Sequence, residues 1–175
     1  DLAFVGKGHQ VQIKNLHTEE LRQLTYALSL ELRADQQGCS WPVWSPDRKW
    51  IAYFQLNQSR GVSICIAEND GIEVRVLDEL TDAIPIYMYW SPDGRRLAVL
   101  LQRTEMEVLV YDVDGLANPI GTLTGGPIFF AWSPHSDGLY FHLIQRLDKS
   151  SRFTYFPLNG EGEQVISTKV GAFCS

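Results

Sequence analysis

The chain has 175 residues, of which 45% are hydrophobic and 21% are charged, and its formal net charge is −6. The length corresponds to one domain, and the proportions are those of an ordinary folded protein. Proteins that bind nucleic acid generally concentrate Lys and Arg, so the acidic balance disfavours that class. No apolar run approaches the roughly 20 residues that a membrane helix needs. We therefore expect neither nucleic-acid binding nor membrane insertion.

The three cysteines, Cys39, Cys65 and Cys174, form no Cys-x-x-Cys pair. An odd number argues against a complete disulfide framework. Cys65 lies between Ile64 and Ile66, so we expect it to pack as a small apolar side chain.

The first 25 residues predict three β-strands. The segment Leu2–Phe4 aligns with Leu97–Val99, and Val11–Leu16 and Leu21–Thr25 supply two later strands. Since Leu97 follows a tryptophan by seven residues, Asp1 falls six residues after an equivalent position. This region therefore predicts a repeat without its first strand.

The next segment, Tyr26–Ser40, makes the link to Trp44 about ten residues longer than the later links of this kind. Leu28, Leu30 and Leu32 alternate with polar residues, which is compatible with a strand extension. The same residues are also compatible with a short helix. An insertion of this kind marks either function or ordinary loop variation.

A Trp-Ser-Pro motif occurs three times, and its tryptophans are 46 and 42 residues apart. This period is typical of propeller blades. Ser, Pro, Asp and Gly suit successive positions of a type I turn. Apolar residues seven and nine positions after each Trp indicate a following strand. The motifs are Trp44–Asp47, Trp90–Gly94 and Trp132–His135.

A second hairpin follows each motif, because Asn-Gly or Asp-Gly between β-rich runs is a strong hairpin signal. Each repeat therefore has four strands, the content of one propeller blade. The paired strands are Val62–Ala67 with Glu73–Leu77, Val108–Val113 with Ile120–Leu123, and Phe153–Leu158 with Gln164–Ile166.

These repeats predict an all-β fold, a β-propeller of four-stranded antiparallel blades. About four blades are present, and we expect them to be part of a larger propeller. The segment Val170–Cys174 resembles Ile128–Ala131, so it forms either the first strand of a further blade or a strand that closes the ring. The predicted bounds are about 1–25 for the first blade, 41–81 for the second, 84–124 for the third and 126–168 for the fourth, followed by 169–175.

The segment Trp90–Ala98 resembles the repeat of TolB-type propellers, a WD-repeat-like family, and the propeller domains of prolyl-oligopeptidase-type peptidases. The resemblance covers almost the whole chain, with Arg48 and His135-Ser136 as departures from the motif. Resemblance to TolB implies a bacterial, periplasmic scaffold that binds protein partners. Resemblance to the peptidases implies a gating domain beside a hydrolase, although no Gly-x-Ser-x-Gly motif is present.

No catalytic set or cofactor motif can be assembled from the sequence. We assign the motif tryptophans to packing between blades, and Asp47 and Asp93 to hydrogen bonds within turns. His9, His17, His135 and His142 lack a metal-ligand spacing, and a metal-dependent propeller lyase is a third alternative. We therefore expect a non-catalytic binding scaffold without cofactor, unless the chain belongs to a larger enzyme.

The loops predict a partner-binding face. The turns between third and fourth strands each carry a net charge of −2, whereas the four loops between second and third strands together carry +3. Solvated turns explain this difference without any function. The sharper hypothesis is that arginines on the less acidic face bind a protein partner or ligand, and that chains self-associate to complete a ring. The candidate residues are Arg60, Arg103, Arg146 and Arg152.

Overall fold

A computed structural model describes residues 1–25, 38–56, 61–115, 121–125, 128–144 and 151–168. In these ranges the chain forms strands and no helix. The described residues therefore contain no helix that could cross a membrane. The strands are β1 (Leu2–Val5), β2 (Val11–Lys14), β3 (Leu21–Gln23), β4 (Cys39–Trp44), β5 (Trp50–Leu56), β6 (Val62–Glu68), β7 (Val74–Leu80), β8 (Ile84–Trp90), β9 (Arg96–Gln102), β10 (Met106–Asp112), β11 (Gly121–Gly125), β12 (Ile128–Trp132), β13 (Gly138–Ile144), β14 (Ser151–Pro157) and β15 (Gln164–Ser167).

Consecutive strands pair antiparallel into four sheets, so each sheet is a simple meander. The first sheet has three strands, β1–β3, and the others have four: β4–β7, β8–β11 and β12–β15. The all-β architecture of four-stranded antiparallel units is thus confirmed. The predictions for Tyr26–Gln37 and Val170–Cys174 lie outside the described residues.

The Trp-Ser-Pro motifs form the turns between the first and second strands of the four-stranded sheets. The fifth residue of each motif donates its backbone N–H to the carbonyl of the motif serine, as a tight turn requires. The same residue takes the left-handed conformation that glycine adopts most easily. These residues are Arg48, Gly94 and Ser136, with φ of 63°, 72° and 60°.

Apolar side chains join each sheet to the next. Between the second and third sheets, buried residues of β5 and β6 such as Phe54 and Ile66 meet Met88, Leu97 and Val99 of the following sheet. Similar clusters join the third sheet to the fourth and the first to the second. Successive side chains of a strand point to opposite faces of its sheet, so burying them against the neighbouring sheets makes the sheets stack.

The motif tryptophans add a directional hydrogen bond to this packing. The indole Nε1 of Trp90 donates to the carbonyl of Val43, at 3.1 Å. The indole Nε1 of Trp132 donates to the carbonyl of Tyr89, at 3.0 Å. Each acceptor is the residue immediately before the motif tryptophan of the preceding sheet. The predicted packing role of these tryptophans therefore includes a backbone contact.

Candidate functional site

The first strands of the four-stranded sheets, β4, β8 and β12, contain no Asp, Glu, Lys or Arg. Each carries an aromatic residue three positions before its motif tryptophan: Trp41, Tyr87 and Phe129. In a chain whose net charge is −6, three adjacent uncharged strands with repeated aromatic residues form a distinct surface.

These aromatic side chains contact one another across the sheets. Tyr87 stacks on Phe130 with ring centroids 5.2 Å apart, and it lies 5.3 Å from Tyr89. The ring of Trp41 lies 6.2 Å from that of Tyr87, which links the second sheet to the group. We call Trp41, Tyr87, Tyr89 and Phe130 the aromatic surface.

Two members of the aromatic surface are open to solvent, since Trp41 is 46% exposed and Tyr89 is 50% exposed. Tyr87 is only partly accessible, and burial raises the pKa of its hydroxyl. Contiguous exposed apolar area of this kind typically marks an interaction site, because leaving it in water is unfavourable.

The backbone under this surface is irregular. Trp41 has φ of 54°, and the pairing of β4 with β5 shifts register between Ser40 and Val43. A left-handed conformation is unusual for a bulky side chain and costs about 1–3 kcal/mol. The strand β8 shifts register at the corresponding place, between Pro85 and Tyr87. Such bulges redirect side chains. They lie beside Trp41 and Tyr87, the two residues of this surface that precede a motif tryptophan by three positions.

The arginines predicted from the loops have a different setting. Arg103 lies at the turn between β9 and β10 and forms an ion pair with Glu107. Arg152 lies in β14 and pairs with Glu163 at 3.2 Å. Both guanidinium groups therefore have a carboxylate partner, and none of the described contacts joins one to the other. Arg60 and Arg146 lie outside the described residues.

The motif aspartates act within their turns. The hydroxyl of Ser45 donates to Asp47 at 2.6 Å, and that of Ser91 donates to Asp93 at 2.5 Å. The hydrogen bond from Ser45 is the main reason that the pKa of Asp47 lies below its ordinary value. These contacts account for the aspartates as elements of the turns.

The described histidines and cysteines form no candidate metal centre. In the described part of the chain, no group of three or more His, Cys, Asp and Glu side chains could hold a metal ion. Cys39 and Cys65 are buried free thiols. Burial raises the pKa of Cys65 to about 12, so this thiol stays protonated and unreactive near neutral pH.

Sequence reasoning missed the aromatic surface, although part of the signal is readable in the sequence. An aromatic residue precedes each motif tryptophan by three positions, and two of these residues, Trp41 and Tyr87, belong to this surface. The exposure of Trp41 is not readable from the sequence, because strand residues of this type more often pack in a core.

No family model matches the chain, and no curated protein matches it in sequence. Solved structures do match. The acylaminoacyl peptidase of Pyrococcus horikoshii matches with a TM-score of 0.69 at 17% identity, over 90% of this chain and 28% of the peptidase. The β-propeller domain of the Trilobed protease from Pyrococcus furiosus matches with a TM-score of 0.66 at 17% identity, over 92% of this chain and 49% of that one. TolB from Acinetobacter baumannii matches with a TM-score of 0.59 at 14% identity, over 91% of this chain and 38% of TolB.

The chain therefore spans less than half the length of these structures. Identities of 14–17% show a common fold and nothing finer. Together with the stacked four-stranded meanders, they identify the sheets as blades of a β-propeller.

Proposed function

We propose that this β-propeller is a non-catalytic scaffold that binds a polypeptide segment on its aromatic surface. The observation that carries the proposal is the continuous contact of aromatic rings across three adjacent sheets, from Trp41 through Tyr87 to Phe130, with Trp41 and Tyr89 about half exposed. Aromatic residues of this kind dominate binding energy at protein interfaces, because they bury large areas with little loss of side-chain freedom.

The chemistry of the surface suggests the kind of segment. The strands β4, β8 and β12 offer no charge to pair with a charged ligand. A partner segment rich in apolar, aromatic or proline residues would be complementary, and the hydroxyls of Tyr87 and Tyr89 could bond to its backbone. The four arginines singled out from the sequence, Arg60, Arg103, Arg146 and Arg152, remain in the proposal as a second contact region beyond this surface.

A photo-crosslinking experiment tests the aromatic surface. p-Benzoylphenylalanine replaces Tyr89 in one variant and Val74 in another. Val74 is exposed to a similar extent, on the fourth strand of its sheet. We expect a discrete polypeptide adduct from the first variant and none from the second. The double variant Trp41→Ala, Tyr89→Ala should then lower the affinity of the identified segment at least about tenfold. Equal crosslinking at the two positions, or unchanged affinity, contradicts the proposal.

The arginine region is tested with the same identified segment. Replacement of Arg60, Arg103 and Arg146 by alanine removes three cations from the loops. If these residues contribute, affinity falls and its dependence on salt becomes weaker, because screened charge attraction is lost. Unchanged affinity and an unchanged salt dependence exclude this face.

A second candidate function is an accessory domain of a larger peptidase, which the names of two solved structures favour. The full reading frame discriminates the two functions, since continuation after Ser175 into an α/β-hydrolase would support the accessory role. For the alternative of a metal-dependent lyase, the described residues contain no group of side chains that could hold a metal ion.

A further inference from the structure

The fourth strand of the second sheet, β7, carries a row of exposed aliphatic side chains. Val74 and Val76 lie on one face of the strand and are 51% and 47% exposed. Ile72, just before the strand, continues the row and is 84% exposed. The corresponding strand of the third sheet, β11, has the sequence Gly-Thr-Leu-Thr-Gly instead. The aliphatic row is therefore a feature of this sheet and not of every fourth strand.

Two opposite charges alternate with the aliphatic row. Glu73 and Arg75 form an ion pair with each other. The guanidinium of Arg75 also lies 4.5 Å from the centre of the Trp50 ring and donates to the Val113 carbonyl at 3.1 Å. These contacts fix Arg75 on the face of β7 opposite to Val74. The two charges therefore have defined positions, one residue on either side of Val74.

The backbone of β7 has an open edge. Among the described strands, β7 pairs with β6 alone. The carbonyl of Glu73 accepts the N–H of Glu68 at 2.8 Å, so the backbone of Glu73 faces β6. Because backbone groups alternate between the two sides of a strand, those of Val74 and Val76 face away from β6. Such an edge is a template for a further strand.

A bulge limits the length of this edge. Cys65 pairs with Val76 and Ile64 pairs with Asp78, so Leu77 is an additional residue in β7. A bulge bends its strand and disrupts regular pairing. The segment that a partner strand can pair with is therefore residues 72–76, and Val74 is at its centre.

We propose that the edge of β7 pairs antiparallel with β7 of a second copy of this chain, across a two-fold axis at Val74. In this register Val74 faces its own equivalent, and Ile72 of each copy faces Val76 of the other. On the opposite side of the strands, Glu73 of each copy faces Arg75 of the other. The dimer covers the aliphatic row and places each charge opposite a charge of the other sign.

The segment selects a second copy because it is complementary to itself. Only about Val74 does reversal of the segment bring aliphatic residues onto aliphatic residues and acid onto base. An axis at Val76 would place Glu73 opposite Glu79 and would run into the bulge. Like charges directly opposite each other are unfavourable. An axis at Ile72 would place Val74 opposite Asp70, which lies in a turn. The dimer uses the fourth strand of a sheet, so it is independent of the aromatic surface on the first strands.

Sedimentation velocity of the 175-residue chain over a series of concentrations measures the dimer, and we expect a monomer–dimer equilibrium. Glu73→Arg alone and Arg75→Glu alone each place like charges opposite each other, so each should weaken the dimer at least about tenfold. A mixture of these two variants should form a heterodimer, because every positive side chain then faces a negative one. The double variant Glu73→Arg, Arg75→Glu should dimerise like the natural chain.

A matched pair of lysine variants completes the test. Val74→Lys places two ammonium groups at the two-fold axis and should abolish the dimer. Val165→Lys replaces a valine of β15 that is exposed to a similar extent, and it should leave the dimer unchanged. Thermal melting checks that each variant is folded, and the lysine pair alone decides if Arg75→Glu does not fold.

Three results would overturn the proposal: a monomer at every concentration, equal effects of the two lysine variants, or no preference for the heterodimer in the mixture. Crosslinking from position 74 is compared with crosslinking from Tyr89 at concentrations at which the chain is monomeric. In the dimer, an adduct at position 74 would join two copies of the chain.

Discussion

The junction between the second and third sheets differs from the junction between the first and second in how polar groups are satisfied. At the former, Trp90 donates to Val43, Tyr111 donates to Asp78 at 2.8 Å, and Arg75 donates to the Val113 carbonyl at 3.1 Å. These bonds run from one sheet to the other and surround a large apolar cluster.

At the junction between the first and second sheets, the polar contacts gather around one side chain. Thr25 Oγ1 accepts from the Val11 N–H at 2.9 Å, donates to Gln10 at 2.9 Å and lies 3.5 Å from Cys39 Sγ. The indole of Trp44 has no acceptor within the described chain. The difference teaches that the two pairs of sheets are linked by different kinds of polar contact: side chains donate across the second junction, whereas at the first the backbone N–H of Cys39 donates to the His9 carbonyl at 2.7 Å.

The largest effect should come from a matched pair of core truncations. Ile66→Ala at the second junction should lower the free energy of unfolding by about 4 kcal/mol, and Ile13→Ala at the first by about 2 kcal/mol. Both side chains are fully buried, but the smaller cluster beside the open edge of β1 can close around the cavity more readily. Urea denaturation measures both losses. Equal losses would show that the first junction is as rigid as the second.

A smaller effect separates the motif tryptophans. Trp90→Phe removes a hydrogen bond to Val43 and leaves its carbonyl without that donor, whereas Trp44→Phe removes an indole that has no described acceptor. Both variants lose similar volume. We expect Trp90→Phe to be more destabilising than Trp44→Phe by about 1–2 kcal/mol, in the same denaturation assay. The reverse order would contradict the assignment of Trp44 as unsatisfied.

The smallest expected effect is on how thermal stability depends on pH under acidic conditions. Burial raises the pKa of Asp93, but hydrogen bonds from Ser91 and the Arg95 N–H outweigh it, so the pKa lies below the ordinary 3.8. A lowered folded pKa stabilises the protein above the unfolded pKa, and this stability is lost as pH falls through the folded pKa. Thermal melting below pH 3.8 should therefore depend less on pH in Asp93→Asn than in the natural chain.

Asp47→Asn serves as the matched control, since Asp47 has the same turn contact but receives no hydrogen bond from a neighbouring sheet among the described contacts. Asp93 has Ser136 and Arg96 nearby as additional partners. We expect the acid dependence to shrink less in Asp47→Asn than in Asp93→Asn. Identical profiles would show that contacts between turns do not affect the carboxylate.

The fold could be predicted from the sequence because the signals for its turns and strands are local and repeated. The Ser-Pro turn, the Asn-Asp-Gly turn near β6 and alternating apolar residues each fix a short segment, and the period of the tryptophans relates the segments. Ends of strands were less predictable. A strand predicted at Glu73–Leu77 is observed at Val74–Leu80, because pairing with β6 continues beyond the local pattern.

The site was less predictable because it depends on contacts between distant segments. The pairing of Arg152 with Glu163 joins a residue of β14 to the segment before β15, which loop charge alone does not reveal. The exposure of Trp41 follows from a shift in register and a left-handed backbone. Neither feature has a local sequence signature, since both arise from how separate segments meet in the folded sheets.

The hydrogen bond from each motif tryptophan to the sheet before it gives the row of blades a head and a tail. At Trp90 and Trp132 the donor belongs to the later sheet and the acceptor to the earlier one. Contacts of this head-to-tail kind repeat in one sense, and they form a ring only when the rotation per unit closes. The order of these sheets along the chain is therefore also their order in the row.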